Sequence, residues 1–308
     1  MIQDVIQHIL PAGEVSILAG SSGAGKSTLM MQALKAFENG EDEWLGKKLN
    51  YDAKWGYLAN DHAWKLYEET AGRIGLDLNR LPHISLMDDE TIDLEVFRTN
   101  PLKLLEDLLT KLVDRGANAI VCDTLVSWFG GDIRNYNLPA YALLRLGRWC
   151  RKHNATILGM HHATKARTDY TFKRPQDRIS GSMSLLGFSS TQLCLLPPDE
   201  TGDATAQFHI IAHNAPALMI PLTKRDGLFV PFVAGEAPLT PIEESILVAI
   251  SEEGLGVSVT RNLIGAKVRI ATSSLDRHLK RLVQLNRIIK IRHGEYKIAS
   301  PEVLTEAA

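Results

Sequence analysis

Gly20-Ser-Ser-Gly-Ala-Gly-Lys-Ser-Thr28 fills every fixed position of the pattern G-x-x-x-x-G-K-[ST], and that stretch narrows the possible folds more than any other part of the chain. The residues before it, Glu14-Val-Ser-Ile-Leu-Ala19, read as a short buried strand, and those after it, Leu29-Met-Met-Gln-Ala-Leu-Lys35, as a helix. Gly20, Gly23 and Gly25 let the backbone wrap closely and turn its N–H groups inward, where the helix N-terminus adds a partial positive charge. Gly20, Ser21, Ser22, Gly23, Ala24, Gly25, Lys26, Ser27 and Thr28 are therefore expected to cradle the phosphates of a nucleoside triphosphate, ATP. Lys26 would reach the β and γ phosphates, and Ser27 would place its hydroxyl on Mg2+.

Composition sets only broad limits. The 308 residues suffice for one large domain or two, and 45% hydrophobic residues for a packed core. A formal net charge of -2 gives no whole-chain sign of nucleic-acid binding, so any basic surface has to be local. Cys122, Cys150 and Cys194 lie far apart without zinc or disulfide spacing, as buried thiols in a reducing compartment would. Met1 to His8 lacks a basic start and a long apolar run, and no later stretch reaches the roughly 18 apolar residues of a membrane span. A cytoplasmic protein with no membrane partner is expected.

Up to about residue 235, apolar runs with strand character, near 14 to 19, 55 to 59, 118 to 122, 155 to 160, 191 to 196 and 207 to 212, alternate with helical ones. That alternation predicts an α/β fold with a mainly parallel sheet and helices on both faces over residues 1 to 235. Gly235-Glu-Ala-Pro-Leu-Thr-Pro241 reads as a linker, placed at 236 to 241, and a second domain is expected over 242 to 308. Ala117-Asn-Ala-Ile-Val-Cys-Asp123 is an apolar strand ending in an acid, about a hundred residues beyond the phosphate loop, so Asp123 is the expected partner of Ser27 at the metal.

Further segments occur in a characteristic order: Leu45-Gly46, then Trp55-Gly-Tyr-Leu-Ala59 followed by Asn60-Asp61, the Asp123 strand, Gly159-Met-His-His-Ala-Thr-Lys165, and the Ser180-Gly-Ser182 step. From about residue 10 to 235 the chain thereby resembles the RecA-like ATPases of the hexameric plasmid replicative helicase type, the RepA-like group, common also in phages and mobile elements. The resemblance implies a RecA-like P-loop core, ATP bound between subunits of a homo-oligomer, and DNA as partner. It also implies a glutamate base after the second strand, where this chain has Ala59-Asn60-Asp61. Asn orients water but takes no proton, so catalysis is expected either to recruit Asp61 or to be slow. Strand alternation allows Asp61 to point away from the γ-phosphate. His162 resembles the family's phosphate sensor. The family's Arg-Gly-Ser finger has Ser180 in the arginine position, leaving Arg178, Arg174 or Lys165 as the cross-subunit cation.

By the same resemblance, two loops face a channel. In the second, Lys165, Arg167, Lys173 and Arg174 are interleaved with Tyr170 and Phe172, a mix that tracks a phosphate backbone and stacks on single-stranded bases. The C-terminal region carries an independent signal: an amphipathic helix over 240 to 251, a shorter one over 259 to 264, a third over 272 to 285, then a hairpin of 287 to 292 with 295 to 298. Three helices and a hairpin predict a winged helix-turn-helix. Its third helix would read duplex DNA through Ser273, Ser274, Arg277, His278 and Arg281, although such modules also serve as protein-docking braces. The expected function is an ATP-dependent DNA motor in replication or recombination. The alternative is an ATP-switched loader or regulator with little turnover. Small-molecule phosphotransfer is disfavoured, since no acceptor-binding lid is evident.

Overall fold

Apolar runs flanking a phosphate loop require a sheet covered on both sides, and a computed structural model of the chain has one. It describes residues 4–50, 52–132, 134–163, 175–179, 183–198, 205–213, 215–232, 239–254, 257–285 and 287–299, the side chains of Arg178 and Gln284 excepted. Two compact units result, one of residues 1–200 with 207–230 and one of 201–206 with 231–308. The expected linker boundary at 235 lies outside the described residues.

In the first unit the chain runs β1 (Asp4–Ile6), β2 (Leu10–Pro11), β3 (Val15–Gly20), α1 (Lys26–Asn39), β4 (Glu43–Trp44), β5 (Lys47–Lys48), β6 (Trp55–Ala59) and α2 (Trp64–Ile74). It continues through β7 (His83–Ser85), α3 (Leu94–Thr99), α4 (Pro101–Asp114), β8 (Ala119–Asp123), α5 (Asn137–His153), β9 (Thr156–His162), α6 (Met183–Phe188) and β10 (Thr191–Leu196). The last strands are β11 (Ala206–Ala212), β12 (Leu218–Arg225) and β13 (Leu228–Pro231). Among the described residues nine strands form one sheet in the order β13-β12-β11-β10-β3-β9-β8-β6-β7. From β10 to β7 every pairing is parallel, and β11 joins β10 antiparallel.

β3, β6, β8 and β10 are buried at every position, as central strands covered on both faces must be. α4 shows how a helix supplies one cover: Leu102, Leu105, Leu109 and Leu112 recur at spacings of three and four and bury one stripe. Packing is close enough that Gly159 in β9 admits no side chain, because a Cβ there would lie 2.3 Å from Leu125. β6 and β10 fall at the expected residues, and the other anticipated strands shift by one or two. β7 and the β12–β13 hairpin were not expected. β7 is three residues long, and β12 buries only Leu222, so neither gives a periodic apolar signal. Cys122, Cys150 and Cys194 are free and buried, as anticipated, and burial pushes the Cys150 thiol up to about 12. No described helix is long and apolar enough to cross a membrane.

The second unit runs α7 (Pro241–Ser251), β14 (Val259–Thr260), α8 (Arg261–Val268), α9 (Thr272–Gln284), β15 (Ile288–Arg292) and β16 (Glu295–Ile298), with sheet order β14-β16-β15. Two expectations change. Pro241 belongs to the first turn of α7 and not to a linker, because Thr240 and Glu243 form a reciprocal cap. Residues 259 and 260 form a strand, and Thr260 caps the helix that follows. Ile246, Ile250, Ile264, Leu275, Leu279, Leu282 and Ile288 supply the core.

Beside that core lies a carboxylate. Glu243 is 0% exposed, accepts the Thr240 N–H at 2.8 Å, and is held by Arg281 and by His278, whose Nδ1 is 3.1 Å away. His278 and Arg281 therefore do not stand on the outer face of α9, as the DNA-reading assignment requires; they are turned inward by Glu243. Ser273 and Arg277 are exposed, and Ser274 is half-buried. Burial opposes ionisation of Glu243, yet the Thr240 amide, Arg281 and His278 together hold its carboxyl below the usual range. Its contribution to stability is thus full above the ordinary glutamate pKa and is lost as pH falls below it. Glu243→Ala is expected to cost this unit about 2–3 kcal/mol, less than a fully dry pair because Arg281 keeps some solvent. Hydrogen exchange in α7 and α9 of the intact chain, at neutral and acid pH, measures both effects.

Candidate nucleotide site

Strand register assembles the site. Gly20 at the end of β3 is level with His162 of β9, and Asp123 at the end of β8 is level with Ala59 of β6, so four carboxyl-end segments meet on one edge. In an open parallel sheet that edge is where ligands bind. The backbone pins it: the Asn60 N–H donates to the Asp123 carbonyl at 2.9 Å and the Ala163 N–H to the Gly20 carbonyl at 3.0 Å.

The turn from Gly20 into α1 has the geometry of an anion cradle. Gly25 precedes α1 with φ of 96° and Gly23 has φ of 78°, conformations that bulkier residues avoid. No side chain caps α1 and its first turn carries no acid, which leaves those N–H groups for an anion. Lys26 is only 8% exposed, and its Nζ donates to the carbonyls of Gly20 at 3.0 Å and Ser21 at 3.1 Å. The ammonium is thus held across the mouth of the loop.

Ser27 and Asp123 meet as the sequence predicts, Ser27 Oγ donating to Asp123 Oδ2 at 3.0 Å. A second donor was not anticipated: the hydroxyl of fully buried Tyr57 in β6 reaches the same oxygen at 3.2 Å. The signal for it was an OH inside an otherwise apolar strand, which needs a partner wherever it is buried. Burial pushes the Asp123 carboxyl up; Ser27, Tyr57 and the Lys26 charge pull it back without cancelling the rise, and Asp61 adds to it. Burial likewise raises Tyr57, with the Asp123 charge second. A carboxylate 5% exposed beside a hydroxyl is a hard oxygen pair suited to Mg2+. No group of three or more His, Cys, Asp or Glu among the described residues could cage a metal, so Ser27 and Asp123 are the residues that would hold one.

Asp61 lies beside two histidines. Its Oδ2 lies 3.7 Å from Nε2 of His162 and 3.8 Å from Nε2 of His62. The histidine pair divides into buried His161 and His162, whose side chain is 50% exposed. Asn60 is committed elsewhere, its Nδ2 donating to Ser127 Oγ at 2.5 Å. Sequence reasoning missed Ser127 because nothing local marks it. Lys165, Arg167, Lys173, Arg174 and Ser180 lie outside the described residues, as does the side chain of Arg178, whose backbone closes a short 3-10 turn, Pro175–Arg178.

A phosphate cradle opening α1, a buried acid across from it on β8 and a mostly parallel central sheet define a P-loop nucleotide-binding ATPase core. Residues 2–168, more than half of the chain, match the family model described as AAA domain, and the protein belongs to that family. No curated protein matches the chain. Lys26→Ala is expected to abolish nucleotide binding, whereas Asp61→Asn retains binding and lowers turnover by about a hundredfold or more, the scale of a lost general base. Equilibrium binding and steady-state phosphate release on the same variants measure the split.

Proposed function

We propose that this protein is an ATP-dependent DNA motor of the RepA-like kind, acting as a homo-oligomer with ATP between subunits. The observation that carries hydrolysis is the Asp61–His162 pair, a carboxylate held 3.7 Å from an imidazole on the ligand edge of the sheet. Lys26 neutralises β- and γ-phosphate charge, and Ser27 with Asp123 holds Mg2+, which when bound shields the phosphates. Asp61 accepts the proton of the attacking water, and His162 orients that carboxylate. In the chain, His162 is followed by Lys165, Arg167, Lys173 and Arg174, the residues assigned to single-stranded DNA, and this short connection suits coupling of hydrolysis to DNA movement. Arg178 remains the candidate cross-subunit cation.

For the second unit the order α7-β14-α8-α9-β15-β16 supports a winged helix-turn-helix contacting duplex DNA. Exposed Ser273 and Arg277 and half-buried Ser274 keep the role given to them from sequence. His278 and Arg281 give way to Lys280, Lys290 and His293, which line a groove of about 400 Å³ between α9 and the β15–β16 hairpin. The second reading is an ATP-switched loader, favoured by Asn60 at the strand-end position, which takes no proton and whose Nδ2 is engaged by Ser127.

Steady-state ATPase with and without single-stranded DNA, with Lys26→Ala as control, decides between them. Several-fold stimulation by DNA supports the motor; tight ATP binding with negligible turnover supports the switch. Replacing Arg277 and Lys280 by Ala is expected to weaken duplex binding and reduce its salt slope by about one to two. ATP binding stays unchanged in that variant.

A further inference from the structure

The β12–β13 hairpin folds back over the phosphate loop. Asp226 and Gly227, both with positive φ, form its tight turn, and Phe229 of β13 is tied to α1 by Gln32. Gln32 Nε2 donates to the Phe229 carbonyl at 2.8 Å, and the Phe229 N–H donates to Gln32 Oε1 at 2.9 Å. This two-way amide clamp fixes the Phe229 ring so close that a Cβ built on Gly25 would lie 2.7 Å from it. The same Cβ position is 3.6 Å from Lys224 Nζ, which sits 4.9 Å from the centre of the Phe229 ring. Lys224 is exposed, and no carboxylate among the described residues pairs with it. Lys26, by contrast, is already held by loop carbonyls.

We propose that Lys224 is a second phosphate-binding cation, supplied by the same chain that supplies the loop, with the Phe229 ring holding its ammonium over Gly25. The inference rests on the loop's binding a nucleoside triphosphate. An ammonium standing beside a cradle of N–H groups is unfavourable without an anion and favourable with one, so its charge adds to affinity when phosphate enters. The ring fixes the side chain in advance and reduces the entropy lost on binding.

The test is ATP affinity by equilibrium titration, at several salt concentrations, for Lys224→Ala, Lys224→Met, Lys224→Arg and Lys26→Ala. Lys224→Met keeps an apolar stem over the ring and removes only the charge. Ala and Met variants are expected to bind ATP about tenfold more weakly with a flatter salt dependence, the scale of one lost charge-assisted bond, and the Arg variant to recover most of the affinity. Wild-type affinity in Lys224→Met overturns the proposal and leaves Lys224 a packing residue. Unchanged binding in Lys26→Ala instead overturns the nucleotide reading of the loop itself. An excess of Lys26→Ala chains, in which Lys224 is intact, is expected not to restore the Lys224→Ala protein; restoration would put the lysine across a subunit interface and overturn the same-chain assignment.

Discussion

Asp123 is a carboxylate taken almost wholly out of water, and most of the first unit's arrangement follows from what that requires. It needs hydrogen-bond donors, and these come from two different elements: Ser27 on α1 and Tyr57 on β6. β6 must therefore be in fixed register with β8, and α1 must begin where its first turn meets the end of β8. The carboxyl's raised pKa shows that the protein alone does not fully compensate its burial.

Much of this was legible in the sequence, and the division between what was and was not is physical. The phosphate loop and the Asp123 strand announce themselves because glycine, lysine and a terminal acid occur at spacings the backbone needs. Central strands show as unbroken apolar runs. Asp61 was undecided because strand alternation governs only residues inside the strand, and Asp61 lies two positions past the end of β6, where a turn re-aims the side chain toward His162. Tyr57 and Ser127 were not read because each acts through a partner far away in the chain, 66 residues in one case and 67 in the other.

The second unit shows a different failure of legibility. His278 and Arg281 lie on a basic helix and look like nucleic-acid residues by composition. A single acid on another helix reverses that reading: Glu243, 35 and 38 residues away, draws both inward. Charge density in a sequence measures how many cations there are, and burial of one counter-ion decides how many remain available.

Gly159 and Leu125 carry one more implication. Leu125 occupies the space above Gly159 that any side chain would need, and its N–H donates to the carbonyl of Met160 at 3.0 Å, so β9 and the turn after Asp123 are meshed by shape as well as by hydrogen bonding. With no slack at that contact, displacement of one requires displacement of the other. The strand bearing His162 and the turn bearing Ser127 are thus packed as one rigid piece at the phosphate edge.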